Sequence, residues 1–181
     1  MSEVLHAAHF ETPIGSCRAA STPRGLAYLE LPHAAGRGLA GYLQTQLPGV
    51  AVAEGFAPNR AAMRQIVEYL EGKRRAFDLA LDLRGTPFQC AVWQALLEIP
   101  YGETRSYAEI AAAVDRPLGM RVVGNASAAN PVPLVVPCHR VVASDGKLGG
   151  YTGGTALKAR LLAMERDAAA GPLRADRGAL L

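Results

Sequence analysis

Residues 130–141 read N-P-V-P-L-V-V-P-C-H-R-V, and the three prolines of this stretch restrict the structures it can form. Proline fixes its own backbone angle and lacks an N–H donor, so Pro131, Pro133 and Pro137 exclude a regular helix and limit strand pairing. The apolar residues between them favour burial. We therefore predict an extended, buried strap that carries Cys138 to a fixed place.

Cys138 has two interpretations. Free cysteine is among the most buried residue types, so a packing role is the default. A thiolate is also a strong nucleophile, and the imidazole of His139 can help to form it. Adjacent side chains of an extended segment point in different directions, so a water molecule would bridge these two. A carboxylate that holds His139 would then make it a general base.

Several carboxylates of the second half could hold His139, and the pattern alone does not decide between them. Glu165 lies one turn after Leu161 and Leu162 of a predicted final helix, so part of its surface should face inward. A surface glutamate in a salt bridge is nevertheless the usual state of this residue type. The candidates are Glu98, Glu103, Glu109, Asp115, Asp145, Glu165, Asp167 and Asp176.

The composition limits the class of protein. The chain has 181 residues, 50% of them apolar, which is enough for one compact domain or two small ones. It has no apolar run of about eighteen residues and no secretory pattern, so we expect a cytoplasmic protein without a membrane span. Three widely spaced cysteines indicate reduced thiols, with Cys17 and Cys90 in packing roles, and no spacing of ligands indicates a metal.

The first half has the pattern of a small sheet with helices. Strands are predicted within 7–22 and 25–31, and helices over 34–47 and 59–70. The stretch 76–83 alternates between apolar and polar or small residues, which predicts a half-buried strand.

The second half has the pattern of helices and loops. Thr86 is predicted to cap a helix with Pro87 in its first turn, and Ser106 with Glu109 forms a capping-box pattern before the next helix. A break then precedes a helix over 118–129 that is rich in small residues. Helix, turn and helix can form a DNA-binding motif, but most helix pairs bind nothing. The net charge of +3, spread over both halves, permits a nucleic-acid partner without requiring one.

The motifs around Cys138 resemble a known family. P-C-H-R-V, with Asn130 eight residues before the cysteine and G-Y-T-G-G after it, resembles the active-site signature of the O6-alkylguanine-DNA alkyltransferases. The resemblance is detailed from about Phe77 to Glu165 and includes R-G-T-P-F-Q-C-A-V-W-Q-A-L-L-E-I-P-Y-G-E-T-R-S-Y-A-E-I-A. Met120 and Val122 depart from it, because the family usually has alanine at both positions.

The resemblance implies a fold in two parts. An α/β N-terminal domain of ribonuclease H-like type, a small sheet with helices, would occupy residues 1–85. A mainly α-helical C-terminal domain, with a helix-turn-helix and the active-site cysteine strap, would occupy residues 86–166. Residues 167–181 would form a loose tail.

The resemblance also implies a role for each residue of the site. Cys138 would accept the alkyl group, His139 would form the thiolate through a water, and Glu165 would hold the imidazole. Asn130 would fix the strap by hydrogen bonds to the backbone.

The remaining implied roles concern DNA and the base. Tyr107 would assist the departure of guanine, and Arg121 would fill the space that the flipped base leaves in the stack. DNA contacts would come from Arg121, Tyr107 and Ser144, and the base pocket from Pro133, Val141, Tyr151, Thr152 and Gly153.

The implied function is direct DNA repair. The chain would act without cofactor or metal, as a monomer, on double-stranded DNA carrying O6-alkylguanine, with O4-alkylthymine as a second lesion to consider. Each molecule would react once, at the nucleoid. One alternative is a non-catalytic protein that binds the lesion and flags it for another pathway; such proteins lack the cysteine. A cysteine hydrolase is a further alternative, but no separate oxyanion hole is indicated.

Overall fold

The computed structural model describes residues 3–34 and 36–171. Within them the N-terminal half holds a small mixed sheet with two helices, and the C-terminal half is mainly helical, which confirms the predicted fold class. The elements are β1 (Val4–Thr12), β2 (Gly15–Thr22), β3 (Gly25–Glu30), α1 (Gly38–Gln46), β4 (Ala51–Glu54), α2 (Phe56–Leu70), α3 (Pro87–Leu97), β5 (Arg105–Ser106), α4 (Tyr107–Ala113), α5 (Met120–Ala128), a 3₁₀ helix (Cys138–Arg140), β6 (Val141–Val142) and α6 (Thr155–Ala169).

The main sheet has the strand order β3-β2-β1-β4. The first three strands pair antiparallel through short hairpins, and β4 joins β1 in parallel. Helix α2 is fastened to this sheet by the buried amide of Asn59. Its oxygen accepts a hydrogen bond from Ser21 Oγ at 2.8 Å, and its nitrogen donates to the carbonyl of His6 at 2.9 Å.

The predicted strand over 76–83 is wrong. The alternation of exposure holds from Ala76 to Leu81 and fails at Asp82, which is buried, and the segment forms only an isolated bridge between Leu81 and Leu26. The amide of Leu26 donates to the carbonyl of Ala80, and the amide of Asp82 donates to the carbonyl of Leu26, each at 2.9 Å. Alternating apolar residues report one buried face, but a strand also needs a neighbouring backbone to pair with along its length.

The helix caps of the second half are as predicted. Thr86 and Ser106 each cap a helix with a complete capping box, and Pro87 opens α3. Helices α4 and α5 are separated by a break in which Asp115 has a φ of 56°. Trp93 of α3 donates its indole N–H to the carbonyl of Ala126 at 2.8 Å, which holds α5 against α3.

The strap is buried as predicted, but it is not extended throughout. Val132, Leu134 and Val136 are fully buried. The amide of Val136 donates to the carbonyl of Val132 at 2.9 Å, and Leu134 has a left-handed φ of 72°, so the chain turns here. Cys138 then begins one turn of 3₁₀ helix, because the prolines exclude a longer helix without excluding a single turn.

The larger of two hydrophobic clusters spans both halves, and the smaller one lies between the sheet and α1. The larger cluster contains side chains from the sheet, α2, α3, α5, the strap and α6, among them Leu29, Ile66, Trp93, Leu134 and Leu161. Helix α6 continues to Ala169, and residues 172–181 of the predicted tail lie outside the described residues. Within 3–34 and 36–171, no helix has the length and apolar character needed to cross a bilayer.

Candidate active site

Cys138 lies at the wall of an open cavity. The residue is 6% exposed, and the cavity has a volume of about 450 Å³. The other walls are formed by small residues of α5 and of the loop after β6, together with the rings of Tyr107 and Tyr151. The lining residues are Tyr107, Gly124, Ser127, Ala128, Cys138, Gly150, Tyr151 and Thr152.

Asn130 connects the strap to the sulfur. Its side-chain nitrogen donates to the carbonyl of Val136 at 2.8 Å and to Cys138 Sγ at 3.2 Å, and its oxygen accepts from the amide of Val132 at 3.0 Å. Burial raises the pKa of the Cys138 thiol, while the Asn130 donor and the charge of Lys158 act in the opposite direction. Asn130 therefore fixes the sulfur and favours its thiolate form.

His139 and Glu165 form a fully buried pair. His139 Nε2 lies 2.8 Å from Glu165 Oε1, and both side chains are 0% exposed. Burial lowers the pKa of His139, so the imidazole is neutral at pH 7. Its Nδ1 is buried and has no hydrogen-bond partner in the described part of the chain. Because Nε2 donates to the carboxylate, Nδ1 is the nitrogen that is free to accept a proton.

Glu165 is ionised despite its burial. Burial alone would raise the pKa of its carboxyl, but hydrogen bonds from His139 and Arg140 outweigh it and lower the pKa to about 2. The Arg140 Nε donates to Oε2 at 2.9 Å, and the amide of Gly102 donates to the same oxygen at 3.1 Å. Tyr69 donates to Oε1 at 2.5 Å. The negative charge of the carboxylate is thus compensated by Arg140, and its two oxygens are held by hydrogen bonds from several directions.

Lys158 is a second buried charge beside the site. Its side chain is 0% exposed, and its ammonium group donates to the carbonyls of Val141, Leu148 and Gly150. These contacts hold the loop that follows β6 against α6, and Gly150 of this loop lines the cavity. Burial lowers the pKa of Lys158, and the nearby Cys138 opposes this shift.

Comparisons with known proteins identify the family. A family model described as the DNA-binding domain of 6-O-methylguanine DNA methyltransferase matches residues 87–167. A methylated-DNA–protein-cysteine methyltransferase of Methanosarcina barkeri is 43% identical over 157 residues, which are 87% of this chain and 94% of that protein. The inducible methylated-DNA–protein-cysteine methyltransferase of Bacillus subtilis is 42% identical over 149 residues, 82% of this chain and 83% of that protein. The chain belongs to the methylated-DNA–protein-cysteine methyltransferase family.

Solved structures of the family share this fold. The Mycobacterium tuberculosis O6-methylguanine methyltransferase aligns with a TM-score of 0.78 and 38% identity, over 94% of this chain and 96% of that one. The structure of Mycobacterium tuberculosis OGT in complex with DNA aligns with a TM-score of 0.77 and 39% identity, over 90% of this chain and 94% of that one. The resemblance predicted from the sequence is confirmed along nearly the whole chain.

The residues that the family resemblance assigns to DNA contact lie around one groove. Tyr107, Arg121 and Ser144 line a surface cavity of about 410 Å³. This cavity shares Tyr107, Gly124 and Gly150 with the cavity that contains Cys138, so the two are neighbours. Burial raises the pKa of the Tyr107 phenol, so its hydroxyl remains protonated.

The residues that were predicted to form the base pocket are only partly brought together. Tyr151 and Thr152 line the cavity. Pro133 and Val141 are buried and are not among the lining residues. Gly153 is not among them either, and its nearest side chains are those of Leu157, Tyr151 and Leu31. The cavity is also lined by residues that were not predicted for the pocket, namely Gly124, Ser127, Ala128 and Gly150.

Proposed function

We propose that this chain repairs DNA by transferring the alkyl group of O6-alkylguanine irreversibly to Cys138. The observation that carries the proposal is a buried cysteine at the wall of an open cavity, with an amide donor 3.2 Å from its sulfur and a neutral histidine next to it in sequence. The membership of the family, whose named relatives act on methylated DNA, supports the same substrate.

The chemistry follows from the protonation states. His139 Nδ1 would take the proton of the Cys138 thiol through a water, and Glu165 would stabilise the imidazolium that forms. The thiolate then attacks the alkyl carbon, a C–S bond forms, and the bond from that carbon to O6 of guanine breaks. Guanine leaves with the electron pair and takes up a proton from the Tyr107 hydroxyl, and the proton that His139 accepted from the thiol is returned to the Tyr107 phenolate through solvent. The product is a thioether that the chain cannot hydrolyse, so each molecule reacts once.

The lesion must leave the duplex to reach the sulfur. O6 of guanine is inaccessible in stacked DNA, and flipping a nucleotide costs a few kcal/mol. Arg121 is exposed at the start of α5 and would fill the gap in the stack, while the small residues of α5 would let this helix approach the minor groove. Tyr107 and Ser144 would contact the strand beside the flipped nucleotide.

All groups of the proposed site come from one chain, so we expect the protein to act as a monomer. Because the proposed substrate is chromosomal DNA, we expect it to act in the cytoplasm. O4-alkylthymine is a second lesion to test in the same cavity. A non-catalytic lesion binder is the alternative function, and the reactive position occupied by Cys138 argues against it.

The test is the intact mass of the protein after incubation with a duplex that carries one O6-methylguanine. We expect a gain of one methyl group per molecule, confined to the peptide that contains Cys138. Cys138→Ser should abolish the gain, whereas Cys90→Ser, at a half-buried cysteine outside the cavity, should retain it. Tight binding of the duplex without any gain in mass would instead assign the chain to the lesion binders.

A further inference from the structure

Tyr69 belongs to α2 of the N-terminal half, yet its hydroxyl lies in the proposed catalytic network. The side chain is 0% exposed. The hydroxyl donates to Glu165 Oε1 at 2.5 Å and lies 3.1 Å from His139 Nε2. The ring is fixed by aromatic neighbours, with centroids 5.2 Å from Phe77 and 6.2 Å from Tyr101.

The protons around Glu165 can be assigned from these contacts. Burial, together with the charge of Glu165, raises the pKa of Tyr69 well above its usual value, so the hydroxyl keeps its one proton. That proton is directed to the charged oxygen, which is the nearer and stronger acceptor. His139 Nε2 then faces two oxygens that offer it no proton, Glu165 Oε1 at 2.8 Å and the Tyr69 hydroxyl oxygen at 3.1 Å, so it must carry the hydrogen itself.

We propose that Tyr69 is a positioning residue for alkyl transfer, which holds Glu165 and His139 so that Nδ1 of His139 is the free proton acceptor. This proposal rests on the proposed function of Cys138. Tyr69 acts in two ways: it selects the tautomer of His139, and it takes up part of the negative charge of Glu165. The second effect weakens the attraction of the carboxylate for an added proton on the imidazole, so more of His139 stays in the neutral form that accepts a proton.

Other ionisable groups surround the pair, and some of them act on the charge of His139. Arg140 and Lys158 disfavour a charged imidazole, and Glu165 favours it. Around these two side chains lie the charged or titratable groups of the 3₁₀ helix, α2, α6 and the two flanking loops, namely Cys138, Arg140, Tyr69, Lys158, Tyr101 and Tyr151. Among them, Tyr69 is the one whose hydroxyl contacts both His139 and Glu165.

The test is the pH profile of single-turnover methyl transfer from a saturating duplex with one O6-methylguanine. Tyr69→Phe keeps the ring and removes the hydroxyl. Glu165 then attracts the imidazole proton more strongly, so the acid limb of the profile should move up by about 0.5–1 pH unit, and transfer below that limb should slow about 3- to 10-fold. Tyr101→Phe is the matched control, because its buried hydroxyl has no hydrogen-bond partner among the described residues, and it should leave the limb in place.

A second measurement reports the tautomer directly. The ¹⁵N shifts of His139 in the unsubstituted protein should show a protonated Nε2 and an unprotonated Nδ1. The reverse tautomer would overturn the proposal even if Tyr69→Phe does not fold. Superimposable pH profiles for Tyr69→Phe and the unsubstituted protein would also overturn it. A failure of the unsubstituted protein to alkylate Cys138 would be a different result, since it would remove the proposed function itself.

Discussion

At the scale of single residues, the site is a set of buried charges that compensate one another. Glu165 and Lys158 are both 0% exposed, and Arg140 is 7% exposed. A buried charge is costly unless it is paired and hydrogen-bonded. Here the guanidinium of Arg140 donates to both carboxylate oxygens of Glu165, and it also donates to the carbonyl of Ile99 at 2.6 Å. The carboxylate that positions His139 is thus also a structural group, and its loss should affect both stability and activity.

The stability of the fold should depend on the ionisation of Glu165. The pKa of its carboxyl is about 2 in the folded state and 4.5 in the usual state, so its contribution is complete above pH 4.5 and is lost as the pH falls toward 2. At pH 3 about 2 kcal/mol of it is lost. Glu165→Gln removes this titration, so the fall in unfolding free energy between pH 6 and pH 3 should be smaller by that amount. Urea unfolding at both values measures it.

Two further results are expected alongside this measurement. Glu165→Gln should also be less stable at pH 6, because Arg140 loses its counter-charge. Glu98→Gln, at an exposed carboxylate after α3, should leave the difference between the two pH values unchanged. An equal fall for Glu165→Gln and the unsubstituted protein would show that the carboxylate is not held in its charged form.

The sequence indicated some residues of the site and not others, for a physical reason. Cys138, His139 and Asn130 lie within one short motif, whereas Glu165 was one of several candidate carboxylates on the pattern and was singled out by the family resemblance. Tyr69 could not be found in this way. It lies 96 residues from Glu165 on an ordinary amphipathic helix, where its aromatic ring alone accounts for its burial. Lys158 was missed because a lysine among apolar residues is normally read as a solvated position.

At the scale of elements, helix caps can be predicted from neighbouring residues, whereas strand pairing cannot. The helix caps at Thr86 and Ser106 depend on residues a few positions apart, and both caps were predicted from sequence, the one at Ser106 as a capping box. Strand pairing depends on a second backbone that is distant in sequence. The segment 76–83 therefore alternates in exposure as far as Leu81 without becoming a strand, since its backbone meets β3 only around that residue. The 3₁₀ turn at Cys138 likewise follows from tertiary packing of the strap.

The contact between this segment and β3 depends on Gly25. Its φ is 148°, and a Cβ at this position would lie 2.3 Å from the carbonyl oxygen of Ala80. Gly25→Ala should therefore push the segment away and break its backbone hydrogen bonds to Leu26, at a cost of about 3 kcal/mol in unfolding free energy. Urea unfolding measures the loss.

A matched glycine separates the two causes of this loss. Gly72 has a φ of 73°, and a Cβ there would meet no atom within 4 Å. Gly72→Ala should cost only the backbone strain, about 1 kcal/mol. Equal losses for the two variants would mean that backbone conformation alone, rather than the close approach of Ala80, accounts for the effect at Gly25.

At the scale of the whole molecule, the two halves are joined by a shared hydrophobic core and by hydrogen bonds as well as by the connecting chain. The hydrophobic core is continuous across them. The amide of Leu29 in β3 donates to the carbonyl of Pro131 in the strap at 2.8 Å, and Tyr69 of α2 contacts Glu165 of α6. The strap thus rests against the edge of the sheet, and the proposed catalytic pair lies against the N-terminal half. A disturbance of the sheet should therefore reach the site.

We expect the two halves to unfold together. The chain has one tryptophan, Trp93, which is buried in the C-terminal half, so its fluorescence reports that half, whereas far-UV circular dichroism reports the sheet and helices of both. The two probes should give coincident urea transitions, as a single cooperative unit requires. Gly25→Ala lies in the sheet, far from Trp93 in sequence, and should shift both transitions equally because the shared core couples them. A Trp93 transition that stays in place while the circular dichroism transition moves would mean that the sheet unfolds separately, and that the strap keeps its structure without it.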